Sequence, residues 1–283
     1  MLPAEYQAMH LVELTHWWFR ARRRLLASFL AGVGGARTGA LRILDYGCGT
    51  GGNTTSYGRF GSVTGVEPDP HAIRLAQKRG GGLYCRANGL RLPFRNGVFD
   101  VVIASDVLEH IEDDSAALAE MARVLKPGGS MIISVPAHQW LFSCHDAALQ
   151  HFRRYSKVTL RRLLSGERLR IRRLSYWNMT LFPLLSLYRL LQQGRPRAEP
   201  RSDTRLPSGP INEALAALLS AEGTLIRHVR LPWGLSLVVV AESYGERPPQ
   251  ASSARSEESA PAGVTTVPAD ERRNTTASES QYH

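Results

Sequence analysis

Short apolar runs alternate with amphipathic stretches through the first half of the chain. Each run is typical of a strand buried on both faces, and the stretches between them have helical spacing. The alternation predicts a Rossmann-like α/β fold, in which a mostly parallel sheet carries helices on both faces. The predicted elements are strands at 41–45, 62–66, 82–86, 99–104 and 130–135, and helices at about 51–58, 70–79 and 114–125.

The pattern changes after the fifth strand, where a segment rich in histidine and arginine leads into a second set of elements. These are predicted to be a helix at 157–165, a strand at 168–177, helices within 176–191 and 211–228, and a strand at 235–241. The total is seven strands. We therefore expect a seven-stranded sheet with a helical insertion at about 178–230, just before the last strand.

Three regions are expected along the chain. Residues 1–40 are predicted to form an N-terminal helical lid, and residues 41–244 the main α/β domain. Residues 245–283 consist mostly of Ser, Thr, Ala, Pro, Glu and Arg, so we predict a disordered tail that cannot build a core. The tail has six acidic residues and four arginines, a net charge of −2, so the first 244 residues carry +12 and the whole chain +10.

Cysteine usage and the apolar stretches favour a cytoplasmic protein. The three cysteines are widely spaced and form no CxxC pair, and the N-terminal segment lacks the order of a secretory signal. The most apolar stretch, 176–191, is interrupted by Pro183 and Arg189 and is shorter than the roughly 20 residues of a membrane span. We expect this stretch to contact the inner face of a membrane at most peripherally.

The strongest motif is LDYGCGTGG at 44–52, between a predicted strand and a predicted helix. Glycines at such a turn let the backbone approach a nucleotide-like ligand. Gly47, Gly49 and Gly52 also fit GxGxxG, so the glycines alone allow NAD as well as S-adenosylmethionine (SAM). Asp45 favours SAM, because a carboxylate repels a pyrophosphate and attracts the α-ammonium of SAM. Glu67, which ends the next strand, suits the hydroxyls of a ribose in either cofactor.

Four ordered segments carry a resemblance to a known family. LDYGCGTGG is followed by NGLRLPF (88–94), FDVVIASDVLEHIED (99–113) and RVLKPGG (123–129). Over about 40–136 the chain resembles class I SAM-dependent methyltransferases of the type 11 group. The resemblance implies SAM as cofactor and a crevice at the carboxyl ends of the strands. The implied cofactor-binding residues are Asp45, Gly47, Cys48, Gly49, Gly51, Glu67, Pro68, Asn88 and Gly89. Ser105 and Asp106 are added because they follow the fourth strand, at the mouth of the crevice where open α/β sheets bind ligands. For Asp106, a substrate contact and a helix cap are the alternatives. Asn88 replaces the family's usual Asp, and its oxygen can still accept from the adenine amino group.

Two further motifs bear on the methyl acceptor. HWWF at 16–19 and HDAALQHFRRY at 145–155 resemble a bacterial subgroup found with glycan, lipid and natural-product pathways. Trp17 and Trp18 are expected either to cover the sulfonium through cation–π attraction or to pack on the sheet.

The histidines after the fifth strand are each more often structural than catalytic, but together they favour an acceptor site. We predict His145, His151 and Tyr155 as catalytic residues, the histidines acting as base if the acceptor is a hydroxyl. The other predicted acceptor-binding residues are His110, His138, Asp146, Arg153 and Arg154. No metal site is expected, because no carboxylate-rich set accompanies the histidines.

Positive charge is concentrated at 151–175. This stretch contains nine Arg and Lys residues and one acidic residue, Glu167. A phosphate, a carboxylate or an anionic membrane would complement such a patch, and a solvated basic face is the alternative. We therefore predict methyl transfer from SAM to a small-molecule or lipid-like acceptor, anionic or phosphorylated, in a natural-product, prenyl or glycan pathway. RNA methylation and a catalytically inactive scaffold with this fold remain the alternative functions, and the sequence does not define the oligomeric state.

Overall fold

A seven-stranded mixed sheet with helices on both faces forms the centre of the molecule, as the sequence predicts. The computed structural model describes residues 3–34, 41–192 and 206–244. The strands are β1 (Leu41–Tyr46), β2 (Gly61–Glu67), β3 (Leu83–Arg86), β4 (Phe99–Ser105), β5 (Leu125–Pro136), β6 (Leu169–Trp177) and β7 (Ser236–Ser243). The helices are α1 (Pro3–Val12), α2 (Trp17–Gly34), α3 (Thr54–Tyr57), α4 (Pro70–Arg79), α5 (Asp114–Val124), α6 (Cys144–Ala148), α7 (Lys157–Ser165), α8 (Phe182–Gln192) and α9 (Gly209–Leu225).

The strand order is β3-β2-β1-β4-β5-β7-β6. The first five strands pair in parallel, and β7 runs antiparallel to both β5 and β6. Asp45 is in register with Gly65 of β2 and with Ile103 of β4. The carboxyl ends of these three strands therefore meet at one edge of the sheet, where open α/β sheets bind their ligands.

Both faces of the central strands are buried, and successive residues contribute to opposite faces. In β4, Val101 and Ile103 belong to the cluster formed with α2 and α9, whereas Val102 and Ala104 belong to the cluster formed with α5 and α7. This period of two is the geometry of a strand covered on both sides. Burial of both faces explains why the sequence of each central strand is a continuous apolar run.

The N-terminal helices pack onto the sheet through aromatic contacts. Trp18 of α2 stacks on Trp177 at the end of β6, with 4.8 Å between ring centroids. Trp177 is fully buried and its indole N–H donates to the backbone oxygen of Leu219 in α9. Trp17 is partly buried, and its backbone N–H donates to the side-chain oxygen of Asn212. Of the two interpretations of the tryptophan pair, the contact of Trp18 matches packing on the sheet.

Three boundaries differ from the sequence prediction. The predicted helix at 51–58 is limited to the single turn α3 and a following 3₁₀ turn, because the glycine turn extends to Gly52. Strand β5 begins at Leu125, where the predicted helix was expected to end. The stretch 176–191 starts inside β6, and helix α8 begins only at Phe182, after Asn178 has adopted a φ of 61°.

Other expectations concern residues outside the described ones. The predicted disordered tail at 245–283 and most of the loop at 192–210 lie there. Within 3–34, 41–192 and 206–244, no helix is long and apolar enough to span a membrane. The division into a lid, a main domain and an insertion stays a prediction.

Replacing Trp177 by alanine should lower the free energy of unfolding by about 3–5 kcal/mol, because a fully buried indole leaves a cavity between β6, α2 and α9. Urea unfolding followed by circular dichroism measures the change. The control is Trp233→Ala, since Trp233 is 48% exposed and its loss should cost about 0.5 kcal/mol or less. Equal costs for the two variants would contradict the packing described for α2.

Candidate functional site

The chain turns sharply between β1 and α3, and the turn requires glycine. Gly47 and Gly51 have φ values of 70° and 84°, in the left-handed region that other residues avoid. A Cβ at Gly47 would lie 2.6 Å from the side chain of Val107, and a Cβ at Gly51 would lie 2.7 Å from the hydroxyl of Tyr84. The backbone N–H groups of Gly47 and Cys48 donate to Val66 and tie the turn to β2.

Asp45 is the penultimate residue of β1, next to this turn. Its side chain is buried and accepts a hydrogen bond of 2.6 Å from the hydroxyl of Thr54. Burial raises the pKa of Asp45 to about 7, and the charge of nearby Glu13 adds to the shift. A nearby positive charge stabilises the ionised form of such a buried carboxyl group. The α-ammonium of SAM has the charge that this position needs.

Glu67 ends β2 and is buried beside the turn. Its carboxylate accepts from the backbone N–H groups of Gly49 and Asp69, at 3.1 and 3.2 Å. It also accepts from the hydroxyl of Tyr6 in α1, at 3.1 Å. The N-terminal helix therefore reaches the acid that the family resemblance assigns to the ribose.

The junction of α1 and α2 makes a second contact with the turn. Glu13 is buried, accepts from the hydroxyl of Thr50 and forms an ion pair of 2.8 Å with Arg79. A Cβ on Gly52 would lie 2.5 Å from its carboxylate. Burial raises the pKa of Glu13 despite these partners. Tyr6 and Glu13 were not predicted from the sequence, because no motif links α1 to a turn almost 40 residues away.

The predicted adenine side of the site follows β3. The side-chain oxygen of Asn88 accepts from the backbone N–H of Leu90, at 2.9 Å, within its own turn. Gly89 lies against Tyr46, since a Cβ there would be 2.2 Å from the tyrosine hydroxyl. The backbone oxygen of Pro68 accepts from Arg86. Asn88 therefore has one of its acceptor positions occupied by the protein.

Ser105 and Asp106 lie where β4 leaves the sheet. Asp106 has a φ of 53°, a left-handed conformation that is unusual for a residue other than glycine. Its carboxylate accepts from the hydroxyl of Ser134 and pairs with Arg22 of α2. The hydroxyl of Ser105 is buried and has no hydrogen-bond partner in the described part of the chain. Strained backbone and an unsatisfied buried hydroxyl are features of ligand-binding positions.

The segment at 136–156 is called the acceptor segment, because the sequence predicts acceptor binding there. It is organised by Asp146, which is fully buried. Its carboxylate accepts from Nδ1 of His151 at 3.0 Å and from two nitrogens of Arg154 at 2.8 and 3.0 Å. Burial alone would raise the pKa of Asp146, but the bond from His151 and the charge of Arg154 hold it well below its ordinary value. Asp146 and Arg154 are thus paired with each other inside the protein.

His110, which follows β4, contacts His151 of this segment. Their rings pack edge to face, with 4.5 Å between the centroids. Burial and the neighbouring His151 lower the pKa of His110 to about 3, so its imidazole is neutral. The carboxyl group of Glu109 belongs to the same cluster, and burial together with Asp106 raises its pKa well above the ordinary value. Glu109 was not predicted as a site residue.

The remaining predicted acceptor residues have partners in other parts of the fold. The Tyr155 hydroxyl donates to Asp114 at 2.7 Å, and Arg153 pairs with the same carboxylate at 3.0 Å. His138 stacks on the ring of Tyr176, with 5.1 Å between centroids. Burial and the charge of Arg189 lower the pKa of His145. His110, His151 and Asp146 are therefore brought together, whereas Tyr155 and His138 contact other parts of the fold.

Comparison with known proteins agrees with this architecture. Residues 44–133 match the family profile described as a methyltransferase domain. An uncharacterized methyltransferase of Mycobacterium sp. (strain JLS) is 40% identical over 118 residues, which are 40% of this chain and 46% of that protein. The chain thus spans less than half the length of this curated relative.

Solved structures of low sequence identity share the fold. A putative methyltransferase in complex with the Trm112 activator of Haloferax volcanii has a TM-score of 0.55 at 16% identity, and the match covers 87% of this chain and 96% of that one. Phosphoethanolamine N-methyltransferase 2 of Haemonchus contortus, solved with SAM, has a TM-score of 0.50 at 18% identity, and the match covers 77% and 52%.

Residues 44–133 are therefore similar to methyltransferase domains, in agreement with the resemblance to class I SAM-dependent methyltransferases seen in the sequence. The fold is shared with a solved putative methyltransferase.

Binding of SAM should depend on pH through Asp45. Its carboxylate form attracts the ammonium, so the affinity should fall about tenfold per pH unit below the pKa of about 7. Asp45→Asn should weaken binding at pH 8 by about 10- to 100-fold and flatten this pH dependence, because a charge-assisted hydrogen bond is worth about 1.5–3 kcal/mol. Calorimetry from pH 5.5 to about 8 measures both effects.

The matched control is Asp113→Asn. Asp113 caps α5 and is exposed, and asparagine caps a helix about as well as aspartate. This variant should bind SAM like the wild type. An unchanged affinity in Asp45→Asn would remove Asp45 from the cofactor site.

Proposed function

We propose that the protein transfers a methyl group from SAM to a small-molecule or lipid-like acceptor. The observation that carries the proposal is the buried Asp45 beneath a turn that only glycine can form. When bound, SAM supplies a methyl group on a sulfonium, and transfer to a nucleophile is an in-line displacement that needs no covalent enzyme residue. The chain's contribution is to hold both partners collinear and to exclude water.

Residues of three regions would do this work. Asp45 and Glu67 hold the cofactor, and the contacts of Tyr6 and Glu13 place α1 over the turn, which would exclude water from it. On the acceptor side, the buried carboxylate of Asp146 orients His151 by accepting from its Nδ1. The Nε2 atom of His151 is then the ring nitrogen left for an acceptor or another ligand.

A lipid-like, anionic acceptor is supported by helix α8. Leu184, Leu187, Tyr188 and Leu191 follow the i, i+3, i+4, i+7 spacing of one helix face, and each is more than half exposed. Arg189, on another face of α8, donates to the backbone oxygen of Leu141. The segment after α8 contains four arginines between 193 and 205. An apolar helix face followed by a basic segment is typical of peripheral contact with an anionic membrane.

RNA methylation is the alternative suggested by the arginine content. In the described residues, Arg153 and Arg154 both pair with carboxylates of the same chain, and Arg172 pairs with Glu242. Pairing of this kind reduces the charge available for phosphates. An inactive scaffold is the other alternative, and SAM binding without methyl transfer to any acceptor would favour it.

The purified protein should bind SAM with one-to-one stoichiometry and should not bind NADH. The reason is that Asp45 attracts an ammonium and repels a pyrophosphate. Calorimetry with each cofactor makes the measurement, and incubation of labelled SAM with fractionated lipid and metabolite extracts tests transfer. Binding of NADH without binding of SAM would contradict the proposed function.

Vesicles of mixed neutral and anionic lipids should bind the wild-type protein more strongly than neutral vesicles. Leu187→Glu with Leu191→Glu should reduce this binding at least about tenfold, because two charges enter the apolar face of α8. Co-sedimentation measures the fraction of protein bound to the vesicles. The control is Leu83→Glu, which changes an exposed leucine on β3, at the opposite edge of the sheet from β6. An equal loss in both variants would contradict membrane contact through α8.

A further inference from the structure

A carboxyl group and two imidazoles converge at the end of β4. Glu109 and His110 lie in the short 3₁₀ turn Leu108–His110 that follows this strand. His151 lies in the segment after α6, 41 residues further along the chain than His110. One ligand atom from each of the three side chains lies within 4.8 Å of the other two. Small adjustments of the side chains would bring these atoms to the separations found around one bound metal ion.

The carboxyl group of Glu109 is the member of the cluster that most needs a partner. Glu109 is 1% exposed, and its Oε2 atom has no hydrogen-bond partner among the described residues. A polar group left unpaired inside a protein is destabilising, and more so when it is charged. A cation at the centre of the cluster would satisfy this oxygen.

His151 is oriented toward the cluster by a second carboxylate. Its Nδ1 atom is bound to Asp146 at 3.0 Å, so Nε2 is the nitrogen available to a ligand. Asp146 is itself held by Arg154 through two hydrogen bonds. Histidines that bind metals usually have one ring nitrogen hydrogen-bonded to such a carboxylate, which fixes the tautomer and the ring orientation.

We propose that Glu109, His110 and His151 bind one divalent transition-metal ion. Two imidazoles and one carboxylate favour Zn²⁺, Co²⁺ or Fe²⁺ over Mg²⁺ and Ca²⁺, which prefer oxygen ligands alone. Three protein ligands leave at least one coordination position for a water molecule or an acceptor oxygen. The cluster contains a carboxylate that the sequence did not associate with the histidines after β5, because Glu109 is 42 residues before His151.

The ion's role toward the acceptor rests on the proposed function, whereas its binding does not. Glu109 is three residues from Asp106, at the sheet edge where the cofactor-binding strands end. A metal ion there would act as a Lewis acid on an acceptor hydroxyl and lower the pKa of that hydroxyl. In this arrangement His151 is a metal ligand, and the proton of the acceptor hydroxyl would pass to solvent water rather than to His151.

A titration of the full-length protein with Co²⁺, after dialysis against a chelator, tests the site. The d–d absorption of Co²⁺ reports its coordination, and calorimetry with Zn²⁺ reports stoichiometry and affinity. We expect one ion per chain. Glu109→Gln and His151→Asn should each weaken binding by at least about tenfold. The matched controls Glu112→Gln and His228→Ala change exposed residues and should bind like the wild type.

The outcomes separate this proposal from its competitors. No one-to-one uptake of Co²⁺ by the wild type, or undiminished uptake by Glu109→Gln, would overturn it. If the variants do not fold, X-ray absorption of the Co²⁺-loaded wild type decides, because a ligand set without two imidazoles would also overturn it. SAM calorimetry on the metal-free protein is a separate measurement, so failure of the metal site and failure of the proposed function are distinguishable.

Discussion

The parallel pairing of β1 with β2 and β4 is the constraint on which the candidate site depends. It brings Asp45, Glu67 and Asp106 to one edge of the sheet, although they come from three separate segments. The hydrogen-bond register leaves no freedom in this placement, since a shift by one residue would turn Asp45 to the opposite face. Burial of both faces of the central strands holds the register in place.

This edge of the sheet contains an unusual number of buried acids. Asp45, Glu67, Glu13 and Glu109 are each less than 10% exposed, and burial raises the pKa of all four. A raised pKa means that the neutral form favours folding, and that this contribution to stability is lost as the pH rises through the raised pKa. Ionisation of these buried groups is therefore costly, and the ion pair with Arg79 offsets part of that cost for Glu13. Cationic ligands would offset that cost.

The acceptor segment shows how a motif can serve the fold and the site together. Asp146, His151 and Arg154 belong to one sequence motif, and the structure links them in a single buried network. A buried ion pair is stable only when its remaining hydrogen-bonding positions are filled, and Ser143 fills further positions on Asp146. Arg154, which the sequence assigned to an anionic acceptor, is used here to hold the carboxylate that orients His151.

Most of the sheet and the cofactor turn could be predicted from the sequence, because their causes are local. Apolar runs define strands that are buried on both faces, and the glycines of 47–51 are required by the backbone at their own positions. Asp45 and Glu67 were predicted because each directly ends such a strand. The boundaries of α3, β5 and α8 were less accurate, since turns and strand pairing decide where those elements begin.

Only the tertiary structure decided which distant side chains meet. The contact of Tyr6 with Glu67, the pairing of Glu13 with Arg79 and the approach of Glu109 to His151 join residues that are 42 to 66 positions apart. No periodicity or motif encodes such contacts, because they depend on how helices and loops pack around the completed sheet. The sequence by itself determined the fold class and the glycine turn after β1, and packing decided how the N-terminal helices and the segment at 136–156 lie against the sheet edge.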